Sequence, residues 1–311
     1  MSVRILATSP LVGDALADLG ARFPSLCIAP FRSQLWNEAL PEAEALVVLL
    51  SEPLEASDLE RAPKLRAIAT YSVGTNHLPL AACATRGIPI FNTPGVLTDA
   101  TADLALALLL ALSRRVAEGE ALVRSGSWQG WAPDQLLGTG LTGKACAILG
   151  SGAIGKAFAK RVWALGMRPL FWDREGIGGE VDFGVAKAAR LPLQDLLPLA
   201  AVLSLHCPLT PQTRGLLNRD ALTALPQGAL LLNTARGGIL DEEAAMDLLE
   251  TDHLGGVGLD VFEGEPALNP RWLRVPRSVL LPHLGSATRE SRTAMATLLC
   301  QGLERVLSHS L

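Results

Sequence analysis

The stretch AILGSGAIGKAFAKRVWALGMRPLFWD, residues 147–173, constrains the fold more than any other part of the chain. An apolar run leads into Gly150, Gly152 and Gly155 in GxGxxG spacing, a helical segment follows, and a second apolar run ends at Asp173. Glycines at this spacing allow a tight turn and close backbone approach, and the first amide groups of the helix are free to bind an anion. The strand, turn, helix and second strand together predict a Rossmann unit that holds the pyrophosphate of a dinucleotide.

Asp173 stands where a carboxylate accepts hydrogen bonds from the adenosine ribose hydroxyls, and its charge would repel a 2′-phosphate. The sequence therefore predicts NAD as the cofactor. Arg174, directly after it, is able to attract that phosphate, which leaves NADP open. Ala153 and Ile154, inside the turn motif, are predicted to line the same pocket.

Strand-like and helical stretches alternate along the chain. Its 311 residues, 49% hydrophobic and 19% charged, are enough for two packed domains. Such alternation predicts parallel sheets with helices on both faces. The predicted fold is therefore two Rossmann-like or flavodoxin-like α/β domains with a cleft between them. We place a substrate domain at 1–97 plus 286–311 and the dinucleotide-binding domain at 98–285.

The first boundary falls at a long helical stretch, LTDATADLALALLLALSRRVAEGEALVRSG. Thr98 and Asp99 suit a helix start, where oxygen acceptors meet free amide groups and negative charge is favoured. Arg114 and Arg115 interrupt the apolar pattern, but the helix is predicted to run on to Gly126 and to join the two domains.

A polar, turn-rich loop follows this helix and carries Trp128 and Trp131. These rings belong either to a small satellite core or to a contact between subunits, because exposed aromatic residues in a protruding segment mark interfaces.

The charge pattern and the cysteines exclude several classes of protein. The net charge is −4 and no basic stripe occurs, so no nucleic-acid partner is predicted. The longest apolar run, LALALLLAL, is about half of a membrane span, and the start lacks the apolar core of a signal peptide. The five cysteines are scattered without CxxC spacing, which indicates neither disulfides nor a metal site. We expect a cytoplasmic protein with no membrane partner.

Three further motifs follow strand-like runs of the predicted dinucleotide-binding domain: LLNTARGGILDEE, GLDVFEGEP and LLPHLGSAT. With the glycine turn, and with YSVGTNH, NTPGVLTDATADLALALLLA and CPLTPQTRGLLN, they resemble the D-isomer-specific 2-hydroxyacid dehydrogenase family over nearly the whole chain. Within it, NTPGVLTDATADLA and the loop WAPDQLLG look most like glyoxylate/hydroxypyruvate reductases. The resemblance implies hydride transfer between NAD(H) and a small 2-hydroxy acid or 2-keto acid.

The family's catalytic residues map onto Arg236, Glu265 and His283. Reduction of a 2-keto acid builds negative charge on the carbonyl oxygen, so a proton donor is needed there, and an imidazole suits neutral pH. A neighbouring carboxylate stabilises the protonated ring, and the planar guanidinium of Arg236 fits a substrate carboxylate. Taken singly, each residue has an ordinary structural alternative, as a helix cap, a solvated turn residue or a satisfied core histidine.

The resemblance also implies supporting residues. The backbone amides of Val73 and Gly74 would hold the substrate carboxylate, and Ser286 would reach the substrate. Trp131, in a W-x-P turn, would enter the site of a neighbouring subunit, which implies a homodimer. The remaining cofactor contacts implied are Thr101, Cys207, Thr213, Thr234, Ala235, Asp260 and Gly285.

Two rival functions stay open. Phosphite dehydrogenases share the pattern of the loop QGWAPDQLLGTGL but carry a lysine where this chain has Val73, which makes phosphite a poor substrate candidate. An NAD-sensing corepressor-like binding protein has the same fold, but the three intact catalytic residues argue for turnover. The other histidines, including His253 and the tail residue His309, are expected to be structural.

Overall fold

The computed structural model describes residues 5–23, 25–174 and 178–308. The chain divides into two compact units: the first is Met1–Leu97 with Ser286–Leu311, and the second is Thr98–Gly285.

The elements are numbered in chain order. The strands are β1 (Ile5–Ala7), β2 (Leu26–Ile28), β3 (Ala45–Val48), β4 (Ala67–Thr70), β5 (Ile90–Phe91), β6 (Ala145–Leu149), β7 (Arg168–Trp172), β8 (Glu180–Asp182), β9 (Lys187–Ala189), β10 (Val202–Leu205), β11 (Ala229–Asn233), β12 (Leu254–Leu259) and β13 (Ser278–Leu280). The helices are α1 (Ala15–Arg22), α2 (Gln34–Ala39), α3 (Ala56–Glu60), α4 (Leu80–Thr85), α5 (Thr98–Ser113), α6 (Val116–Arg124), α7 (Ala153–Ala164), α8 (Leu193–Leu196), α9 (Arg219–Thr223), α10 (Glu242–Glu250) and α11 (Arg289–Ser308). Short 3-10 turns lie at Leu40–Glu42, Leu197–Leu199, Gly237–Ile239 and Pro270–Leu273.

The first unit is built on a parallel sheet with strand order β2-β1-β3-β4-β5. Every residue of β3 and β4 is buried, as expected for strands covered on both faces. Trp36, Leu46 and Ile68 are fully buried in its core. Burial of side chains of this size contributes about 1.5–3 kcal/mol each. The loop after β4 holds the YSVGTNH motif at the carboxyl edge of this sheet.

The second unit is built on a parallel sheet with strand order β13-β12-β11-β10-β6-β7. From β6 the chain proceeds to β7 on one side and to β10 on the other. That reversal is the point at which open parallel sheets bind ligands, outside the carboxyl ends of the strands. The prediction of α/β architecture with parallel sheets is confirmed.

Both faces of the second sheet are covered by apolar side chains. Along β6, Ala147 and Leu149 pack into one cluster with Trp272, whereas Cys146 and Ile148 pack into the cluster on the other face. This alternation along one strand follows from the pleat, which sends successive side chains to opposite faces.

The predicted single helix over 98–126 is wrong. It begins at Thr98 as expected, but α5 ends at Ser113, and Arg115 has a φ of 52°, in the left-handed region that helices exclude. The carbonyl of Ser113 accepts from the amide of Thr139 at 2.7 Å. A loop distant in sequence therefore covers the end of α5, and α6 starts as a separate helix at Val116.

Strand β8 pairs with β9 in a small antiparallel ribbon outside the main sheet. Within 5–23, 25–174 and 178–308, no helix combines the length and the apolar character needed to cross a membrane.

Candidate active site

The turn between β6 and α7 accepts only glycine at two positions. Gly150 has a φ of 112°, and a Cβ placed on it would lie 2.8 Å from the backbone of His206 and Cys207, directly after β10. A Cβ on Gly155 would lie 2.0 Å from the carbonyl oxygen of Gly150. The turn therefore packs directly against the backbone that follows β10, where the strand order reverses.

The outer side of the same turn is open and fits a dinucleotide. A Cβ on Gly152 would meet nothing within 4 Å. Gly152 is also the residue before α7, and no side chain of the described residues caps that helix end. The amides of Ala153 and Ile154 at the start of α7 can therefore bind the pyrophosphate.

Asp173 follows β7 at the same edge of the sheet. Its carboxylate accepts from the Ser151 hydroxyl and forms an ion pair with Arg190, whose Nε lies 3.2 Å from Oδ2. Arg190 was not predicted from the sequence, because its position beside Asp173 depends on the path of the chain after the β8–β9 ribbon. Arg174 is exposed next to this pair.

Arg236 is held by the loop that follows β11. The side chain of Asn233, which is fully buried, donates to the carbonyl of Arg236 at 2.9 Å and accepts from the amide of Ala235 at 3.0 Å. The guanidinium donates to the carbonyl of Ala235 at 2.7 Å. Asn233 is a second site residue that was not predicted from the sequence, where its one signal is an amide side chain at the very end of an apolar strand.

The loop after β12 lies against the loop of Arg236. A Cβ on Gly237 would be 2.0 Å from the carbonyl carbon of Phe262 and 2.2 Å from the amide nitrogen of Glu263. The two backbones therefore touch without an intervening side chain, and this brings the segment that carries Glu265 beside the segment that carries Arg236.

Glu265 and His283 form a hydrogen-bonded pair at the carboxyl edge of the sheet. The Oε1 atom of Glu265 lies 2.7 Å from the Nδ1 atom of His283, and its Oε2 atom accepts from the amide of Phe262 at 3.3 Å. Both side chains are partly exposed, at 31% for Glu265 and 24% for His283, so a small molecule can reach them.

The turn after His283 is fixed by the buried carboxylate of Asp260. Its two oxygens accept from the amides of Leu284 at 2.6 Å and Gly285 at 2.8 Å, while the Thr101 hydroxyl donates to the carbonyl of Gly285 at 3.0 Å. His283 itself has a φ of 57°. A histidine held in this uncommon conformation by the fixed turn after it marks a position where the direction of the side chain matters.

The charges of the three predicted catalytic residues act on one another. Burial lowers the pKa of Arg236, and the charge of Glu265 opposes that effect. Burial alone would raise the pKa of Glu265, but the hydrogen bond and charge of His283, the amide of Phe262 and the charge of Arg236 together outweigh it and hold that pKa below its ordinary value. Glu265 is therefore ionised at neutral pH, and an ionised carboxylate can only accept. The hydrogen of the pair then sits on Nδ1 of His283, which leaves Nε2 to exchange a proton.

The remaining predicted cofactor residues differ in what their polar groups contact. The hydroxyl of Thr213 donates to the carbonyl of Pro208 at 2.6 Å and accepts from the amide of Thr210 at 2.8 Å, so it is used inside its own loop. Cys207 is buried directly after β10, and burial raises the pKa of its thiol to about 11. The buried hydroxyl of Thr234 has no hydrogen-bond partner in the described part of the chain.

In the first unit, Val73 and Gly74 lie in the loop after β4. The side chain of Asn92 donates to the carbonyl of Val73 at 2.8 Å, and the Ser72 hydroxyl donates to the carbonyl of Gly74 at 2.6 Å. The amides of these two residues make no hydrogen bond to the residues that the structure describes. The carbonyl of Ser286, at the start of the segment leading into α11, accepts from the amide of Thr288 at 2.9 Å.

Trp128 and Trp131 are 54% and 82% exposed, so the alternative that they form a satellite core is wrong.

The predicted structural residue His309 lies outside the described residues. His253 lies in the turn before β12, where its carbonyl accepts from the amide of Gly228 at 2.7 Å.

Comparison with known proteins identifies the family. A family model for the D-isomer specific 2-hydroxyacid dehydrogenase, NAD binding domain, matches residues 106–285. Glyoxylate reductase from Thermococcus litoralis is 43% identical over 278 residues, which are 86% of this chain and 81% of that protein. Glycerate dehydrogenase from Hyphomicrobium methylovorum is 38% identical over 260 residues, which are 83% of this chain and 81% of that protein. The crystal structure of the TT0316 protein from Thermus thermophilus has a TM-score of 0.91 at 42% identity, covering 99% of this chain and 97% of that chain.

The segment matched as an NAD-binding domain contains the glycine turn, Asp173 and the strand-end residues Arg236, Glu265 and His283. The predicted family and the predicted NAD cofactor are confirmed. The chain belongs to the D-isomer specific 2-hydroxyacid dehydrogenase family and is an NAD-linked oxidoreductase of 2-hydroxy and 2-keto acids.

Proposed function

We propose that this enzyme reduces glyoxylate, and also hydroxypyruvate, to the corresponding 2-hydroxy acids with NADH. The observation that carries the proposal is the pair of Glu265 and His283, 2.7 Å apart, at the sheet edge that also bears Arg236. The relatives named glyoxylate reductase and glycerate dehydrogenase support this choice among the 2-keto acids.

The chemistry follows from the three side chains. When bound, NADH supplies the hydride that reaches the 2-carbon of the keto acid. Arg236 binds the substrate carboxylate through its planar guanidinium and polarises the carbonyl. Nε2 of the protonated His283 gives a proton to the carbonyl oxygen as negative charge builds there. Glu265 accepts from Nδ1–H, orients the ring and stabilises its positive form.

We also assign residues that bind the cofactor. The second unit binds the dinucleotide through Gly150, Gly152, Gly155 and the start of α7, and Asp173 accepts from the adenosine ribose. Further cofactor contacts are assigned to Thr101, Cys207, Thr213, Thr234, Ala235, Asp260 and Gly285.

The first unit is assigned to substrate binding. Its amides of Val73 and Gly74, which have no partner among the described residues, suit a carboxylate, and Ser286 is assigned to the same substrate. The net charge of −4 also fits a small-molecule enzyme better than a protein that binds nucleic acid or a membrane surface.

We further propose a cytoplasmic homodimer in which Trp131 contributes to the partner subunit's site. The 82% exposure of this ring, with exposed Leu137 in the same loop and exposed Val123 on α6, supports an apolar subunit contact. Sedimentation of the wild type and of the Trp131→Ala variant tests the proposed homodimer. A monomeric wild type would contradict the dimer.

A substrate panel tests the function. NADH oxidation is followed with glyoxylate, hydroxypyruvate, pyruvate and a bulky 2-keto acid, and the reduction of NAD is followed separately with phosphite. We expect kcat/KM to be highest for glyoxylate or hydroxypyruvate and phosphite turnover to be absent. Tight NADH binding without turnover of any 2-keto acid would instead support a binding protein of the NAD-sensing corepressor class.

A further inference from the structure

A buried carboxylate of the NTARGGILDEE motif takes no direct part in the proposed hydride and proton transfer. Glu242 begins α10 and is only 7% exposed. Its Oε1 atom accepts from the backbone amide of Glu263 at 2.7 Å, and its Oε2 atom accepts from the indole Nε1 of Trp272 at 2.8 Å. Burying a carboxylate costs free energy, so its two contacts need an explanation beyond packing.

Both contacts lead to the segment that carries Glu265. The amide of Glu263 lies just before it in the chain, and the Phe262 amide next to Glu263 donates to Glu265 itself. Trp272, 1% exposed in the 3-10 turn Pro270–Leu273, anchors the same segment on its other side. Glu242 therefore holds the segment before and after Glu265.

Glu242 also connects this segment to the loop of Arg236. Between Arg236 and Glu242 lies Gly237, whose Cα hydrogens face the Phe262–Glu263 peptide so closely that a Cβ would be 2.0 Å away. One peptide unit is thus fixed by close packing against Gly237 and by the hydrogen bond that its amide donates to Glu242.

We propose that Glu242 is a positioning residue that acts through Glu265. It fixes the Phe262–Glu263 peptide and thereby keeps the carboxylate of Glu265 within hydrogen-bond distance of His283. The inference rests on the proposed function because it takes the pair of Glu265 and His283 to be catalytic. The hydrogen bond between them exists without substrate.

The chain offers a matched control on the same helical turn. Glu243 is 61% exposed and pairs with Arg271 and Asn269, so it holds the same segment from the solvent side. Exposed pairs contribute little to stability, and Glu243 does not contact the amide of Glu263.

The substitution Glu242→Gln leaves the shape unchanged but supplies one acceptor oxygen for two donors, so either Glu263 or Trp272 loses its partner. We expect kcat/KM for the best 2-keto acid to fall about tenfold to a hundredfold, the range for misplaced catalytic groups. The Kd for NADH should stay within about twofold, well under that loss. Glu243→Gln should behave as the wild type.

A double-mutant cycle separates positioning from a general structural role. In a Glu265→Gln background, Glu242→Gln should lower kcat/KM less than about twofold further, because the group it positions is already lost. The same fold-loss in both backgrounds would overturn the proposal, and so would an equal loss in Glu243→Gln. If Glu242→Gln does not fold, Glu242→Asp, which retains the charge but is too short to reach both donors, replaces it in the same cycle.

Crystal structures of the full-length variants give a readout that needs no substrate. In Glu242→Gln the separation of Nδ1 of His283 and Oε1 of Glu265 should exceed about 3.5 Å, the limit for a hydrogen bond. In Glu243→Gln it should be retained. An unchanged pair in Glu242→Gln would overturn the positioning role, whereas a wild type without turnover would contradict only the proposed substrates.

Discussion

Nδ1 of His283 lies 2.7 Å from Oε1 of Glu265, and the two residues after His283 donate their amides to the carboxylate of Asp260. The ring is therefore fixed by its side-chain partner and by its own backbone, although it is still partly exposed. A side chain held on both sides is preorganised for a single task, which makes its removal informative.

Replacement of His283 by Ala should lower kcat by about two to four orders of magnitude, the usual contribution of a general acid–base group. The Kd for NADH, measured by quenching of tryptophan fluorescence, should change little because the glycine turn and Asp173 are untouched. An unaltered kcat at neutral pH would disprove the assignment of His283 as the proton donor.

Replacement of Arg236 by Lys should raise KM for the keto acid by a larger factor than it changes the Kd for NADH. Lysine retains the charge but loses the planar pair of donors that matches a carboxylate. The loss of one charged hydrogen bond corresponds to about a tenfold to hundredfold fall in kcat/KM. Arg219→Lys, a change at an exposed arginine paired with Asp247, is the matched control. Equal kinetics for the two variants would count against a substrate contact by Arg236.

Asp173→Ser should shift the cofactor preference from NADH towards NADPH. The change removes the charge that repels a 2′-phosphate and leaves Arg190 and Arg174 beside the ribose position. We expect kcat/KM with NADH to fall about tenfold to a hundredfold, the cost of one charged hydrogen bond, while kcat/KM with NADPH rises.

A second change in the same background tests the part played by Arg190. Adding Arg190→Gln to Asp173→Ser should reverse most of the gain with NADPH. A preference ratio that does not move in Asp173→Ser would show that another group selects the cofactor.

The sequence predicted those features that depend on neighbouring residues. The glycine turn, the strand ends and the start of α5 at Thr98 are local patterns, and the parallel α/β architecture and the family follow from their order. The break between α5 and α6 was not predictable, because it depends on Thr139, which donates to Ser113 from a separate loop.

The site residues that the sequence did not predict also depend on contacts distant in sequence. Arg190 reaches Asp173, and Glu242 reaches Trp272, only after the sheet has formed. A buried polar residue has no periodic signal of its own, so its partner cannot be read from the pattern around it. The roles of Arg236, Glu265 and His283 stay predictions, although the structure places the last two in hydrogen-bond contact.

The stability of the enzyme should depend on the protonation of His206, the residue after β10. Its Nε2 lies 2.8 Å from the Ser204 hydroxyl, whereas its buried Nδ1 has no hydrogen-bond partner within the described residues. Burial lowers the pKa of His206 to about 3. In the unfolded chain a histidine titrates near 6.5, so between these values the unfolded state binds one more proton than the folded state.

The contribution of His206 to stability is therefore complete above about pH 6.5 and is lost as the pH falls towards the folded value. Below about pH 6 this one proton adds about 1.4 kcal/mol per pH unit to the slope of the unfolding free energy. His206→Gln retains a polar partner for Ser204 but cannot titrate, so its slope should be smaller than that of the wild type by this amount. Urea unfolding of both proteins between about pH 7 and about pH 5 measures the difference, and parallel slopes would mean that His206 is already protonated in the folded enzyme.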